Sequence, residues 1–125
     1  MDPNDISACE RMVMRVIWDS EEDLDLRHVM DNVNAKFHKS WKPQTVSTFL
    51  ARLVRKGFLT SYRKGRYSYY QPAVKETDFK VSTVSENISF FDGGNSAAFV
   101  CSLFDHMKFS KEDRERIKNK IDDLD

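Results

Sequence analysis

Apolar residues recur at helical spacing in three stretches of the first 57 residues, and each stretch follows a residue suited to starting a helix. Ser7, with Glu10 three positions later, forms a capping-box pattern, and Asp25 can cap the second stretch. Pro43 fits the first turn of the third helix because its missing N–H would have no partner there, and Gly57 fits the helix end. The pattern therefore predicts three helices. Their apolar stripes are Cys9, Val13, Val16 and Ile17, then Leu26, Val29, Met30, Val33 and Phe37, then Val46, Phe49, Leu50, Leu53 and Val54.

After Gly57 the spacing changes from helical to strand-like. Residues 58–62 and 66–70 are rich in Tyr, Thr and other strand formers, and Gly65 between them can adopt the positive φ of a tight turn. Pro72 closes the second strand. We therefore predict a short β-hairpin with a basic tip. Three helices followed by such a hairpin are typical of a winged helix-turn-helix domain.

Helical spacing returns beyond the hairpin. A fourth helix is predicted for residues 75–90, a fifth around residues 97–104, and a sixth capped by Ser110. These helices carry more apolar residues than so small a segment can bury, which favours association with a second chain. We therefore predict a mainly α-helical fold with a small β-hairpin. It is divided into a winged-helix DNA-binding domain at residues 1–72 and a helical dimerisation domain at residues 73–125.

Charge is distributed unevenly although it sums to zero, with 20 Lys and Arg against 20 Asp and Glu. Residues 1–31 have a net charge of −6, residues 32–75 contain ten basic residues and no Asp or Glu, and residues 76–125 have a net charge of −4. Such a long segment without carboxylates is typical of a surface that faces phosphate. The acidic run at residues 21–25 is predicted to be a solvated face.

The candidate DNA-binding surface is the polar face of the third helix together with the hairpin tip. A helix fits the major groove, where Gln, Arg, Lys and Thr read base edges, and a basic hairpin contacts the phosphate backbone. An ordinary solvated face is the alternative for the helix alone, and the missing carboxylates argue against it. The hydroxyls of the hairpin tyrosines can add hydrogen-bond donors to phosphate; the alternative for these residues is cross-strand packing, which we expect for at least one. The predicted DNA-binding residues are Lys42, Gln44, Thr45, Ser47, Thr48, Arg52, Arg63, Lys64, Arg66 and Tyr67.

Motifs for metal, cofactor or catalytic chemistry are missing from the sequence. Cys101 and His106 fall on different faces of one predicted helix, and Cys9 and Cys101 both lie on apolar stripes, so we expect buried thiols and no metal site. Gly93-Gly94 lacks the Lys-Ser or Lys-Thr of a phosphate-binding loop, and no nucleophile motif occurs, so we expect neither an enzyme nor a cofactor. With no apolar run near the ~20 residues of a membrane span and an acidic N-terminus, a cytoplasmic protein without membrane insertion is expected.

Several segments of the chain resemble the penicillinase-repressor family, which includes methicillin-resistance and copper-responsive repressors. The family's first helix is matched by Ile6-Ser7, Glu10, Val13-Met14 and Val16-Ile17-Trp18. Its recognition helix is matched by Trp41-Lys42-Pro43-Gln44-Thr45-Val46, Leu50, Arg52-Leu53 and Lys56-Gly57-Phe58-Leu59. Later matches are Tyr69-Tyr70, Phe91 and Gly93-Gly94. The likeness spans nearly the whole chain and is stronger through residue 72.

This resemblance implies a homodimeric transcriptional repressor of β-lactam-resistance or cell-wall-stress genes, bound to a dyad-symmetric operator in double-stranded DNA. It also implies release from DNA when a membrane sensor protease triggers a cut within the fifth helix. The bond aligns with Ser102-Leu103, where both residues differ from the family's Asn-Phe; a plain helix with Leu103 in the core is the alternative. The residues expected to pack between two chains are Val84, Ile88, Phe91, Phe104, Ile117, Ile121 and Leu124.

Two other functions compete with this interpretation. One is a winged-helix regulator that responds to a small molecule or a metal; the copper-responsive branch is disfavoured because this chain lacks that branch's Cys-x-Cys motifs. The other is a winged helix that binds proteins, which the uninterrupted basic segment disfavours. Binding to DNA from upstream of the protein's own gene separates these hypotheses.

Overall fold

The computed structural model describes residues 2–124, apart from the side chain of Asp92. Within these residues the chain forms six α-helices and three short strands, with a 3-10 turn at Asp92–Gly94. This confirms the predicted fold class, a mainly α-helical chain with a small β-hairpin. The elements are α1 Ala8–Asp19, β1 Leu24–Asp25, α2 Leu26–Phe37, α3 Pro43–Arg55, β2 Leu59–Lys64, β3 Tyr67–Pro72, α4 Glu76–Phe90, α5 Ser96–His106 and α6 Lys111–Asp122.

Side-chain caps start the first two helices, as the sequence predicts. The hydroxyl of Ser7 accepts a hydrogen bond from the backbone N–H of Glu10 at 3.1 Å, and the Glu10 carboxylate accepts one from the N–H of Ser7 at 2.8 Å. Asp25 accepts a hydrogen bond from the backbone N–H of His28 at 2.9 Å. These bonds satisfy N–H groups that have no partner inside the helix, so local sequence fixes where α1 and α2 begin.

The helix α3 is bounded by a proline and a glycine. Pro43 is its first residue, and Gly57 follows it with φ of 87°, a conformation that costs other residues a steric clash. The N–H of Gly57 donates to the carbonyl of Val54, and that of Phe58 donates to the carbonyl of Leu53. This is a Schellman motif, which turns the chain directly from α3 into β2.

The three strands form one antiparallel sheet in the order β1-β3-β2. Lys64 pairs with Tyr67, so Gly65 and Arg66 make a two-residue turn. Gly65 has φ of 68°, the conformation that its position in a type II′ hairpin turn requires. The strand β1 was not predicted from the sequence, because two residues are too few to show the alternation of apolar and polar positions that marks a strand.

A single apolar core holds the winged-helix part together. The helices α1, α2 and α3 line it, and Phe58 closes it from the start of the hairpin. Phe79 of α4 joins this core, with ring centroids 5.5 Å from Trp18 and 5.9 Å from Phe58. The buried apolar residues are Val13, Met14, Val16, Ile17, Val29, Val33, Val46, Leu50, Leu53, Phe58, Leu59 and Phe79.

The chain falls into two compact units, which divide between Thr83 and Val84. The first unit therefore extends beyond the boundary near residue 72 that the sequence suggests, because Phe79 packs into the winged-helix core. The functions assigned to the two parts stay predictions.

The second unit has little core of its own. None of its described side chains is buried, although the rings of Phe104 and Phe109 pack 5.2 Å apart. Cys101 is exposed and Cys9 is half-buried, so the expectation of two buried thiols is wrong. No described residue of α5 is buried, so the single chain does not cover the apolar stripe on which Cys101 lies. Over residues 2–124, no helix has both the length and the apolar character needed to cross a membrane.

Candidate nucleic-acid interface

The outer face of α3 presents a row of polar side chains. Its inner face is fixed by Val46, Leu50 and Leu53, which are fully buried. Burial of one face leaves the opposite face toward solvent because helix residues three or four positions apart share a side. The outward residues are the exposed Lys42, Gln44 and Arg52 and the half-buried Thr45, Ser47 and Thr48. All six predicted helix residues therefore lie on an accessible surface.

The hydroxyl of Thr48 is partly engaged within the helix. It donates to the backbone carbonyl of Gln44 at 3.0 Å, one turn earlier. A hydroxyl that donates in this way retains lone pairs that accept hydrogen bonds from outside, and its methyl group stays available for apolar contact. Thr48 can therefore offer a ligand an acceptor and a methyl group.

Asn34 fixes the turn between α2 and α3. Its side-chain amide donates to the carbonyl of Trp41 at 3.1 Å, and its side-chain oxygen accepts from the N–H of Trp41 at 2.9 Å. The Trp41 ring in turn packs against Phe49 of α3, with centroids 5.0 Å apart. These contacts set the position of the α3 N-terminus. Sequence reasoning missed them because a polar residue on a helix gives no sign of its tertiary partner.

The hairpin formed by β2 and β3 is the wing of the winged helix, and it carries the predicted wing residues at its exposed tip. Arg63 and Lys64 end β2, Arg66 lies in the turn and Tyr67 begins β3. All four are exposed. Arg63 also donates to the carbonyl of Arg66 at 3.3 Å, which braces the turn.

The tyrosines of the hairpin have different surroundings. The rings of Tyr62 and Tyr69 stack across the strands at 5.8 Å, which confirms the expected cross-strand packing for this pair. The hydroxyl of Tyr62 donates to the carboxylate of Asp23 at 2.6 Å, and this bond raises the pKa of Tyr62. Glu21 and Glu22 are exposed, as expected of a solvated face, but Asp23 has a partner and Asp25 caps α2. The sequence pattern gives no sign of this hydrogen bond, because Asp23 and Tyr62 lie 39 positions apart.

Two cations of the basic segment form ion pairs inside the domain, Lys36 with Asp19 at 3.8 Å and Lys56 with Glu10. The ammonium of Lys56 lies 2.9 Å from a carboxylate oxygen of Glu10, whose side chain is buried. Burial alone would raise the pKa of Glu10, but hydrogen bonds from Ser7 and Lys56 outweigh it and hold that pKa below its ordinary value. Over residues 2–124, the predicted interface cations form no ion pair with a carboxylate. They are Lys42, Arg52, Arg63, Lys64 and Arg66.

Within residues 2–124, no three His, Cys, Asp or Glu side chains cluster where they could hold a metal ion. The residues predicted for dimerisation are all at least partly accessible in the single chain. Val84, Phe91, Phe104, Ile121 and Leu124 are exposed, and Ile88 and Ile117 are half-buried.

Ser102 and Leu103 lie in regular helix in α5, and both are exposed, so the alternative that Leu103 belongs to the core is wrong for the single chain.

Known proteins are similar to this chain in sequence and in fold. The chain is 25% identical over 115 residues to the methicillin resistance regulatory protein MecI of Staphylococcus aureus strain N315, covering 92% of this chain and 91% of that protein. It is 28% identical over 108 residues to the penicillinase repressor of Bacillus licheniformis, covering 86% and 82%. The solved DNA-binding domain of the repressor BlaI matches with a TM-score of 0.53 and 33% identity, covering 62% of this chain and 90% of that domain.

These relatives are repressors and regulators, and the domain they share is a winged helix. The sequence profile described as penicillinase repressor matches residues 6–123, nearly the whole chain. The prediction of a transcriptional regulator instead of an enzyme is thereby confirmed, and the chain belongs to the penicillinase repressor family.

Proposed function

We propose that this chain is a homodimeric transcriptional repressor that binds a dyad-symmetric operator through α3 and the wing of each subunit. The observation that carries the proposal is the accessible polar face of α3, together with exposed cations on α3 and the hairpin tip that form no ion pair within the described chain. Unpaired cations on one surface favour phosphate, because they neutralise it without first breaking an internal ion pair. Membership of the penicillinase repressor family supports the same function.

The side chains of α3 have the chemistry of base readout. In the major groove an Arg can bind the O6 and N7 of guanine, a Gln can bind the N6 and N7 of adenine, and a Thr methyl can contact thymine. Arg52, Gln44 and Thr45 would fill these roles. Lys42 and the wing residues Arg63, Lys64 and Arg66 would bind phosphates, which sets register and affinity but carries no sequence information.

Dimerisation would cover the apolar residues that the second unit leaves exposed. Phe91, Phe104 and Ile121 have 52%, 41% and 57% of their surface accessible in one chain. Large accessible apolar patches mark association surfaces, and a two-fold dimer pairs each patch with its own copy. Two recognition helices would then face half-sites one or more DNA turns apart.

The target genes would belong to β-lactam resistance or the response to cell-wall stress. The support is the naming of two relatives, one for repression of penicillinase and one for regulation of methicillin resistance. Genes next to that of the chain test this assignment, since a β-lactamase beside a membrane sensor protease would agree with it.

Release from DNA would follow cleavage of α5 between Ser102 and Leu103, triggered by the membrane sensor protease. Both residues are accessible in the single chain, but a bond within a helix must open locally before a protease can cut it. A cut there would separate α6 from the rest of the dimerisation part, and binding to both half-sites at once would be lost. An immunoblot after exposure of cells to a β-lactam would show a shortened band. A full-length band together with derepressed genes would contradict this route.

Fluorescence anisotropy tests DNA binding directly. The probe is a duplex of roughly 40 base pairs from upstream of the protein's own gene, long enough for two half-sites one or two turns apart. We expect tight binding that falls ~10³–10⁵-fold between roughly 50 and 200 mM salt, as for six to ten phosphate contacts. Arg52→Ala should cost ~1–3 kcal/mol and reduce preference over a mixed-sequence duplex.

The matched control is Lys111→Ala, which removes one exposed positive charge from α6, outside the proposed interface. This variant should bind like the wild type. Equal binding by the Arg52→Ala variant would show that the polar face of α3 is wrongly assigned. A flat salt dependence would favour a protein partner over DNA.

A further inference from the structure

Tyr62 links the wing to the segment that precedes β1. Along one row of the sheet, Tyr62 of β2 pairs with Tyr69 of β3, which pairs with Asp25 of β1. The Tyr62 ring stacks on Tyr69, and its hydroxyl donates to Asp23 at 2.6 Å. A side chain from one edge strand of the sheet is therefore bonded to the segment leading into the opposite edge strand.

Beyond this row of residues, the wing no longer has β1 beside it as a third strand. Among residues 2–124, the strand β1 pairs with Tyr69 and Tyr70 alone, so beyond the row the wing continues as a two-stranded ribbon. A groove of about 310 Å³ lies between the start of α2 and the wing residues Arg66, Tyr67 and Ser68. A two-stranded ribbon without a packed face is marginally stable and twists easily. The direction of the ribbon must therefore be set at its base, the row of Tyr62 and Tyr69 where it leaves the three-stranded part of the sheet.

The Tyr62–Asp23 bond lies at that base. Tyr62 is 40% exposed and contributes nothing to the buried core, so the fold of the first unit does not depend on its hydroxyl. A bond to a carboxylate is stronger and shorter than one between neutral groups, which makes it an effective restraint on the wing.

We propose that the Tyr62–Asp23 hydrogen bond is a positioning contact that sets the direction of the wing, and thereby the number of phosphates the wing neutralises. The inference rests on the DNA-binding function proposed above. Arg63, Lys64 and Arg66 lie within four residues of Tyr62, so a change of direction at the base displaces all three cations together. Holding them in place beforehand lowers the entropy lost on binding.

A double-mutant cycle on the full chain tests the contact, with Tyr62→Phe, Asp23→Ala and the double variant. Binding to the upstream duplex and its dependence on salt are measured for each. We expect Tyr62→Phe to weaken binding roughly tenfold in the dimer, since both wings are affected, and to reduce the salt slope by about one or two. In the Asp23→Ala background the same substitution should change neither quantity. Asp23→Ala alone also removes a negative charge, which changes DNA binding by itself. The test therefore rests on comparing the effect of Tyr62→Phe in the wild type with its effect in the Asp23→Ala background.

Tyr69→Phe is the matched control, because Tyr69 lies in the same stack but its hydroxyl has no partner among residues 2–124. It should bind like the wild type. Thermal unfolding should show that Tyr62→Phe and Tyr69→Phe are both fully folded at the temperature of the binding measurements. The inference is overturned if Tyr62→Phe matches Tyr69→Phe in affinity and salt slope, or if its affinity falls with an unchanged salt slope. It is also overturned if the effects of Tyr62→Phe and Asp23→Ala on binding are additive. Failure of the wild type to bind the duplex would instead reject the proposed function.

Discussion

The ammonium of Lys56 lies 2.9 Å from one carboxylate oxygen of Glu10 and 3.1 Å from the other, although the two residues are 46 positions apart. Glu10 also closes the capping box with Ser7. One buried carboxylate thus starts α1 and joins that helix to the end of α3. The pair holds two helices of the winged-helix core together.

Removal of Lys56 should destabilise the first unit. In Lys56→Ala, Glu10 keeps its place in the core but loses its countercharge, and breaking a fully buried pair costs ~3–5 kcal/mol. Because Lys56 is partly accessible, we expect a loss of roughly 2–3 kcal/mol in urea denaturation. Lys39→Ala, which removes an exposed cation from the same basic segment, should change stability by less than ~0.5 kcal/mol. Equal stability of the two variants would contradict the structural role of the pair.

Acid should weaken the same contact. The pKa of Glu10 in the folded chain is below its ordinary value of 4.5, so its stabilising contribution is complete above that value and is lost as pH falls through the folded pKa. Glu10→Gln should therefore be clearly less stable than the wild type at neutral pH, and the difference should shrink below about pH 4. Denaturation curves at several pH values measure it. A difference that is constant with pH would mean that the charge of Glu10 is not what stabilises the fold.

Asn34→Ala should both destabilise the protein and weaken operator binding. The substitution leaves the backbone N–H and carbonyl of Trp41 without their partners, which costs ~1–3 kcal/mol when such groups are shielded from water. The N-terminus of α3 also loses its fixed position, so the preference for operator over mixed-sequence DNA should fall. Asn32→Ala on the same helix is the control, because Asn32 is exposed. A variant of unchanged stability and preference would show that Trp41 alone holds the turn.

Disruption of α6 should separate the subunits of the proposed dimer. Ile121→Asp places a charge on a residue that is 57% accessible in one chain but would be covered in a dimer. We expect a monomer in sedimentation equilibrium and operator affinity reduced by ~10²-fold or more. Glu115→Lys reverses a charge on the opposite side of α6 and should leave the dimer intact. Persistence of a dimer in the Ile121→Asp variant would locate the interface elsewhere.

Local signals in the sequence predicted most element boundaries, because caps and stops depend on neighbouring residues. Ser7, Asp25, Pro43 and Gly57 all act where the pattern places them. Contacts across long sequence separations could not be found in this way. The pairs Glu10–Lys56 and Asp23–Tyr62 are 46 and 39 positions apart and depend on how the helices and the sheet are packed. Asn34 and Trp41 are only 7 positions apart, but their contact depends on the path of the turn between α2 and α3.

The exposure of single residues was predicted less well beyond the first unit. Cys101 was expected to be buried because it lies on an apolar stripe, yet it is exposed. A stripe shows which side of a helix avoids water, but not whether the covering surface belongs to the same chain. The residues of the DNA-binding face stay predictions that the variants above test.

No described side chain of the second unit is buried, so in the proposed dimer the copy number of the protein would be part of its regulation. The winged-helix unit has its own core, whereas the second unit would gain its packing from a second molecule, by mass action. In a cell with few copies, most molecules would be single chains that hold one half-site weakly. As copies accumulate, promoter occupancy would rise more steeply than in proportion to their number. Repression would then have a threshold set by the rate of synthesis, and a modest fall in abundance would be enough to open the promoter.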